Sequence, residues 1–513
     1  MNSRAETRPL GNVAIRRFGI NLLSSFFTPR SRSPRSLTLA FLPILIAPLL
    51  SFSQPPPDLI IVNANVRTMD KSKPRAEAVA VKDGRIAAVG KTDEVRKLVG
   101  KETKVIDANG KLLLPGFNDA HAHFMAIGNL FSSIDLSEAR SEADVIAKLR
   151  HFVRFLPKGR WILGGKLDAS IALSREKVDA ATPEHPVFVF HTDPKTAFAN
   201  SLAIRSARID SATRLLDANA IQVMQSVVPK DHVRDWPAIA EAATNYAASF
   251  GVTSIQDTHS DDMAAVYREL HRQGKLKTRI YDCISLSNWA KLAAIGIKGG
   301  SGDAMIRTGC VKGFYDPEDP ETAMLAKNIA GADSAGLQVL IHAIGREANA
   351  AVLSAFEKVI AANADRDRRF RIEHAAGIAA GDISRFARSK TIPSMQPILF
   401  GGEDDYRKTL DSGVSIAFGA DAPMRGFDPL EGIYAAVNAG GKRRITVDEA
   451  VYAYTMVAAY AEFQEKEKGS IEVGKQADLV LLSTDIFADK ADIRASTVWM
   501  TVVNGRIVYE NTK

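Results

Sequence analysis

From residue 58 onward the apolar positions change period twice along the chain. The first stretch reads as short strands, "DLIIVNANVRTMD" (58–70), "AVAVKDGRIAAVG" (78–90) and "KVIDANGKLLLPG" (104–116), rich in Val and Ile and broken by Asn, Asp and Gly. Asp83-Gly84 between two alternating runs predicts a tight hairpin. The same texture returns at the far end in "ADLVLLSTDIF" (477–487) and "TVWMTVVNGRIVYEN" (497–511), with a turn expected at Asn504-Gly505. Two β-rich ends around a long middle imply one small composite β-sandwich domain built from both termini, assigned to 54–115 and 465–513.

The middle, 116–464, alternates short apolar strands with amphipathic helices, the rhythm of a parallel sheet or barrel. "QVLIHAIG" (338–345) reads as a strand. "REANAAVLSAFEKVIAANA" (346–364) then carries a helical stripe at Val352, Phe356, Val359 and Ile360, and "FRIEHA" (370–375) is the next strand. With "FNDAHAHF" (117–124), "GVTSIQD" (251–257), "TRIYDCIS" (278–285), "MIRTGCVKGFY" (305–315), "TIPSMQPI" (391–398) and "SIAFGADA" (415–422) the count reaches eight. Eight such units close most naturally into an α/β (β/α)8 TIM barrel, whose functional residues gather at the C-terminal strand ends. The stretch 125–250 is too long for one crossover helix and implies an insertion over the barrel mouth.

Composition changes this picture in two places. The 513 residues carry a net charge of +7, but seven arginines against Glu6 give residues 1–36 a charge of +6, leaving +1 for the remainder. The basic balance therefore belongs to a leader, and no nucleic-acid partner follows from it. That Arg-rich stretch runs into the uncharged "LTLAFLPILIAPLLSFS" (37–53), the n- and h-regions of a signal peptide, with Ser51 and Ser53 placed for cleavage. Residues 1–53 are read as a leader for export to the periplasm or the extracellular space; an N-terminal membrane anchor is the alternative, and a membrane enters only through this segment. The two cysteines, Cys283 and Cys310, lie in no CxxC and are read as buried free thiols, with pairing open to them in an oxidising compartment.

The polar residues within the eight strands carry the chemistry. The first ends in His121 and His123, whose i, i+2 spacing aims both side chains to one face. Lys312 stands in the fourth, His342 in the fifth, His374 in the sixth and Asp421 in the eighth. Singly, each has a duller reading: a core histidine, a substrate-facing lysine, a capping aspartate. Together, four imidazoles, a carboxylate and a lysine able to take up CO2 form a donor set suited to a divalent ion, with Zn2+ expected, as one or two ions.

The motifs "HAIGREANAAVLSAFE", "RIEHAAGI", "PSMQP", "FGADAPM" and "KGSIEVGKQADLVLL" resemble the amidohydrolase superfamily, closest to its family-three branch, over residues 58–511. That resemblance implies His121 and His123 on the more buried metal, His342 and His374 on the second, a carbamylated Lys312 bridging them, and Asp421 as ligand and proton shuttle. It implies hydrolysis of a non-peptide C–N bond in a small amide or formamide by a metal-activated hydroxide. The alternatives are an N-acyl amino acid (dipeptide-like) or cyclic amide as substrate, or a non-catalytic metal-retaining binding protein. Departures from the family pattern fall in the substrate region: Asp193-Pro194-Lys195 precedes "TAFANS" where Asp-Gly-His is usual, and Asp316-Pro317 follows "VKGFY" where Asp-Gly is usual. Lys195 thereby becomes a candidate contact for an anionic group, with Tyr315, Gln396 and His259 as further candidates, either to line the pocket or to support a ligand from behind. The expected partner is a small-molecule substrate, and a homo-oligomer stays open.

Overall fold

Eight parallel strands run through the middle of the chain in the computed structural model: β1 (Phe117–Ala122), β2 (Val252–Thr258), β3 (Arg279–Ser285), β4 (Ile306–Phe314), β5 (Gln338–Ile344), β6 (Arg371–Ala376), β7 (Ile392–Met395) and β8 (Ala417–Phe418). Each pairs in parallel with the next. Beyond β8 the chain returns to β1: the Asp421 amide donates to the His121 carbonyl (2.7 Å) and the His123 amide to the Ala422 carbonyl (2.9 Å). The approach needs a glycine at 419, where a Cβ would stand 2.5 Å from the His121 nitrogen and 2.7 Å from Asp119 Oδ1. The result is a (β/α)8 barrel, as the apolar periodicity predicts. The structure describes residues 55–230, 235–258, 263–318, 322–400 and 404–511. The leader, read at 1–53, and the candidate His259 lie outside the described residues.

Around the strands, helices bury the stripe their sequences carry. Helix Arg346–Ala362 turns Val352, Leu353, Phe356 and Val359 inward, at the i, i+1, i+4, i+7 spacing of one helical face. These residues join a single large core with Ile341, Ala343 and Ile372 from the strands.

Strands from the two ends share a sheet. Leu479–Leu482 pairs antiparallel with Leu112–Pro115, and the six-stranded sheet continues through Val498–Val503 and Arg506–Glu510 on one side and Asn65–Arg67 and Arg75–Ala76 on the other. A four-stranded sheet, led by Leu59–Val62 and Ala78–Lys82, shares its core: Leu59, Ile61, Val79 and Val81 pack with Leu113, Leu479, Leu481 and Met500. Both expected hairpins form. Asp83 and Gly84 have φ of 50° and 76°, and Asn504 and Gly505 of 51° and 73°, the paired positive values of a type I′ turn.

Between β1 and β2 the chain builds a second small sheet from Ile134–Asp135, Ile162–Leu167, Val187–His191 and Ala197–Ala199. Helices Glu142–Val153 and Arg175–Ala181 accompany it, each capped by a serine (Ser141 and Ser174) that accepts a backbone N–H. This insertion leaves the barrel just past His121 and His123. Among the described residues no helix is long and apolar enough to cross a membrane.

One expectation is overturned. Cys283 and Cys310 are joined in a disulfide across β3 and β4, directly opposite one another in the strand register. Two thiols placed at facing positions of neighbouring strands, each fully buried, cannot be recognised as a pair from a 27-residue spacing in sequence.

Candidate metal centre

The C-terminal ends of five barrel strands bring six side chains to one place. His121 is the next-to-last residue of β1, and His123 sits just past it, as the residue preceding helix Phe124–Asn129. Asp421 follows β8 with φ of 53°, a left-handed conformation costly for a non-glycine residue and concentrated at functional sites. Its Oδ1 lies 3.2 Å from His123 Nε2 and 3.5 Å from His121 Nε2. Donor atoms of these three residues all fall within 4.8 Å of one another. Lys312 Nζ, from β4, is buried 3.5 Å from His121 Nε2. The rings of His121 and His374 are 4.8 Å apart between centroids, and those of His342 and His374 4.4 Å.

His374 reaches the centre through an irregularity. A regular strand would point Glu373 and His374 to opposite faces. Here His374 and Ala375 have φ of 68° and 50°, and the β5–β6 register slips between the pairs Ala343–His374 and Ile344–Ala376. This bulge lets two consecutive polar side chains face the lumen.

Glu373 is the residue that sequence reasoning missed. Fully buried, it accepts the Nδ1 proton of His121 on one oxygen and Arg371 Nε on the other (2.7 Å). Arg371 spans the lumen, donating further to Gln256 Oε1, to the Ala120 carbonyl (2.5 Å) and to Ser394 Oγ (3.2 Å). Since a carboxylate can only accept, His121 carries its proton on Nδ1 and presents the Nε2 lone pair to the centre, where Thr258 Oγ1 (3.2 Å), Lys312 Nζ (3.5 Å) and Asp421 Oδ1 (3.5 Å) surround it. Gln396 does the same for His374: its Oε1 accepts from Nδ1 (2.7 Å), while its own amide donates to the Ser394 carbonyl (3.0 Å). Gln396 thus orients an imidazole. Asp119 was also missed; it accepts the backbone amides of His121 (2.9 Å) and Ala420 (3.1 Å), strapping β1 to β8.

The electrostatics favour ligand protonation states. Burial and the nearby Lys312 charge hold His121 and His374 below the usual imidazole range, and burial with His374 brings His342 to about 4. Burial would raise Asp421, but the imidazoles of His123, His121 and His374 outweigh it and keep the carboxylate ionised. Burial also opposes ionisation of Glu373, yet Arg371 and His121 hold it well below the carboxylate range. Lys312 is lowered by burial to about 8.

The donor set fits a divalent ion. Asp421 Oδ1 is buried and faces two imidazole nitrogens within 3.5 Å. An ionised oxygen so placed is costly to leave uncompensated, and a cation between it and the two imidazole nitrogens would compensate it.

Two further candidates stand on loops. Lys195 stands exposed in the turn between Val187–His191 and Ala197–Ala199, where its amide bonds Asp193 Oδ1 (3.1 Å). Tyr315 is half-buried just past β4 and meets the centre through its backbone, donating to the His342 carbonyl (3.1 Å).

Comparison with known proteins gives the same picture. The profile described as the amidohydrolase family matches residues 104–509, and that of the bacterial imidazolonepropionase-like composite domain matches 78–98. The chain is 28% identical to Protein LONG AFTER FAR-RED 3 of Arabidopsis thaliana, over 92% of this chain and 96% of that protein. It is 28% identical to N-substituted formamide deformylase of Arthrobacter pascens, over 89% and 99%. Among solved structures, an uncharacterised metal-dependent hydrolase from Pyrococcus furiosus superposes with a TM-score of 0.59 at 23% identity, over 84% of this chain and all of that one.

Proposed function

The chain belongs to the amidohydrolase family and is a metal-dependent hydrolase, and from that premise we propose that it cleaves a non-peptide C–N bond of a small amide or formamide. The observation that carries the reading is the buried Asp421 Oδ1 set within 3.5 Å of the Nε2 atoms of both His121 and His123. These three residues would hold one ion, with Zn2+ the best match to two imidazoles and a carboxylate. His342 and His374 would hold a second, and Lys312 as its carbamate would lie between them. Burial of Lys312 leaves a fraction of neutral amine near neutral pH, the form that reacts with CO2. Such an ion lowers the pKa of a water it binds towards about 7 and polarises a carbonyl.

The chain's own groups supply the rest. Asp421, ionised and in the centre, takes the proton of the attacking water on its carboxylate and returns it to the leaving nitrogen as the C–N bond breaks. Glu373 and Gln396 hold the Nδ1 protons of His121 and His374, so neither ring can rotate its lone pair away. A formamide or simple amide as substrate draws support from the likeness to the deformylase. Export, proposed from the leader, is consistent with the Cys283–Cys310 bond, since disulfides persist in oxidising compartments. Cleavage there is checked by N-terminal sequencing of the mature chain.

The test is metal analysis of the purified chain together with hydrolysis of a panel of N-acyl and N-formyl compounds. Turnover that a chelator abolishes and added metal restores is expected. Stoichiometric metal with no turnover of any amide would favour a metal-retaining binding protein.

A further inference from the structure

Beside the metal centre a cavity of about 210 Å3 opens between the ends of β3 and β4, with Lys312 on its inner wall. Leu286, Phe314, Met324 and Leu325 form its apolar sides. The wall is built by a close approach: at Gly313 a Cβ would stand 2.8 Å from Leu286 and 3.0 Å from Ile341, so the missing side chain is what lets Leu286 lie against β4. Phe314 and Met324 leave 56% and 46% of their surface open to water, apolar area that a ligand in the cavity would cover.

The neutral polar groups at its edge are partly engaged with one another. Ser285 Oγ and Ser287 Oγ bond one another (2.8 Å), and Asn328 Oδ1 accepts Trp289 Nε1 (3.3 Å). Lys312 is the one charged lining residue among those described, and its Nζ is turned to His121 in the centre. Arg346 beyond β5 and Arg425 beyond β8 are exposed, and neither lines the cavity. With the Lys312 ammonium directed to the centre, a carboxylate here would meet mainly apolar side chains and a few neutral donors, a poor exchange for its hydration.

We propose that this cavity seats an uncharged, apolar substituent of the scissile amide, up to the size of a six-membered ring, against Leu286, Phe314 and Met324. The proposal rests on the hydrolytic reading above and names its substrate class. An apolar cavity of about 150 Å3 holds a benzene, so the volume here accepts a ring with room for a short branch.

The test compares N-cyclohexylacetamide, N-methylacetamide and N-acetylglycine with the metal-loaded enzyme. Since one methylene in a fitted pocket is worth about tenfold or more, kcat/KM for the cyclohexyl compound should exceed that of each of the others by at least about tenfold. Phe314→Ala and Met324→Glu should each lower the cyclohexyl-to-methyl ratio by about fivefold or more. A preference for N-acetylglycine, or a ratio unmoved in both variants, overturns the proposal. If none of the three amides is hydrolysed, the hydrolytic reading fails, and the cavity is then decided by calorimetric titration with cyclohexanol. Affinity lost in Met324→Glu upholds an apolar ring site, and equal affinity in both proteins rejects it.

Discussion

Replacing Glu373 by glutamine changes one charge and almost no volume, at a position with no access to water. The carboxylate now accepts two hydrogen bonds, from Arg371 Nε and from His121 Nδ1. Glutamine can accept only one of them, because its second head-group atom is an NH2 that faces a donor. The other acceptors of Arg371 are neutral (Gln256, the Ala120 carbonyl and Ser394), so the guanidinium would lose the one charged partner it hydrogen-bonds. Removing one member of a buried ion pair costs about 3–5 kcal/mol, and a loss of that size should appear in urea unfolding of the metal-free protein. A second effect separates this residue from a purely structural one. If the glutamine oxygen stays with Arg371, its NH2 meets His121 Nδ1, and the imidazole must move its proton to Nε2. That nitrogen then has no lone pair for a metal. Loss of such an outer hydrogen bond weakens metal binding by about 10–100-fold, measurable by competition with a calibrated chelator. Metal affinity within about twofold of the native protein would refute the assignment of the His121 tautomer to Glu373.

Asp421→Asn should lower kcat by about 10²–10⁴-fold, the range of a lost general acid–base group, while KM changes little; unimpaired kcat would remove Asp421 from proton transfer. Lys312→Ala should lose bound metal, with partial recovery of metal and turnover on adding short carboxylic acids, and unchanged metal content would argue against a bridging carbamate. The Cys283–Cys310 bond closes a separation of 27 residues, for which chain-entropy arguments give about 3–4 kcal/mol; reduction, or the double serine variant, should lower the unfolding midpoint accordingly, and a midpoint that does not move would reject the cross-link. Asp428 caps helix Pro429–Val437, and burial pushes its carboxyl up to about 6, so its neutral form favours the fold: that contribution is complete below about pH 4 and lost as pH rises through 6. Asp428→Asn, which keeps the capping oxygen, should be more stable than the native chain at pH 7 by about 2–3 kcal/mol and indistinguishable at pH 4; an equal difference at both pH values would reject burial as the cause.

Some of this architecture is legible in the sequence because it depends on periodicity. The eight strand segments show because each is a short apolar run followed by a helical stripe, and the hairpins at Asp83-Gly84 and Asn504-Gly505 show because only a few residue types tolerate those dihedrals. The six residues of the centre could be nominated from their places near strand ends and from the family motifs around them. What could not be read was which neighbour supports which ligand. Glu373 stands in plain view in "RIEHA", but in a regular strand it would face away from His374. The bulge that turns both inward depends on positive φ at His374 and Ala375, and neither residue type advertises that conformation as glycine would. Arg371 was hidden for the opposite reason: a fully buried guanidinium is unexpected until four acceptors from β1, β2, β6 and β7 are known to surround it. Lys195 was nominated through a motif departure that carried chemistry but no position, and it stands on an exposed turn. Ligands declare themselves by residue type, whereas the groups that fix their protons are defined by closure of the barrel, because Glu373 meets His121 only once strands 252 residues apart share one lumen.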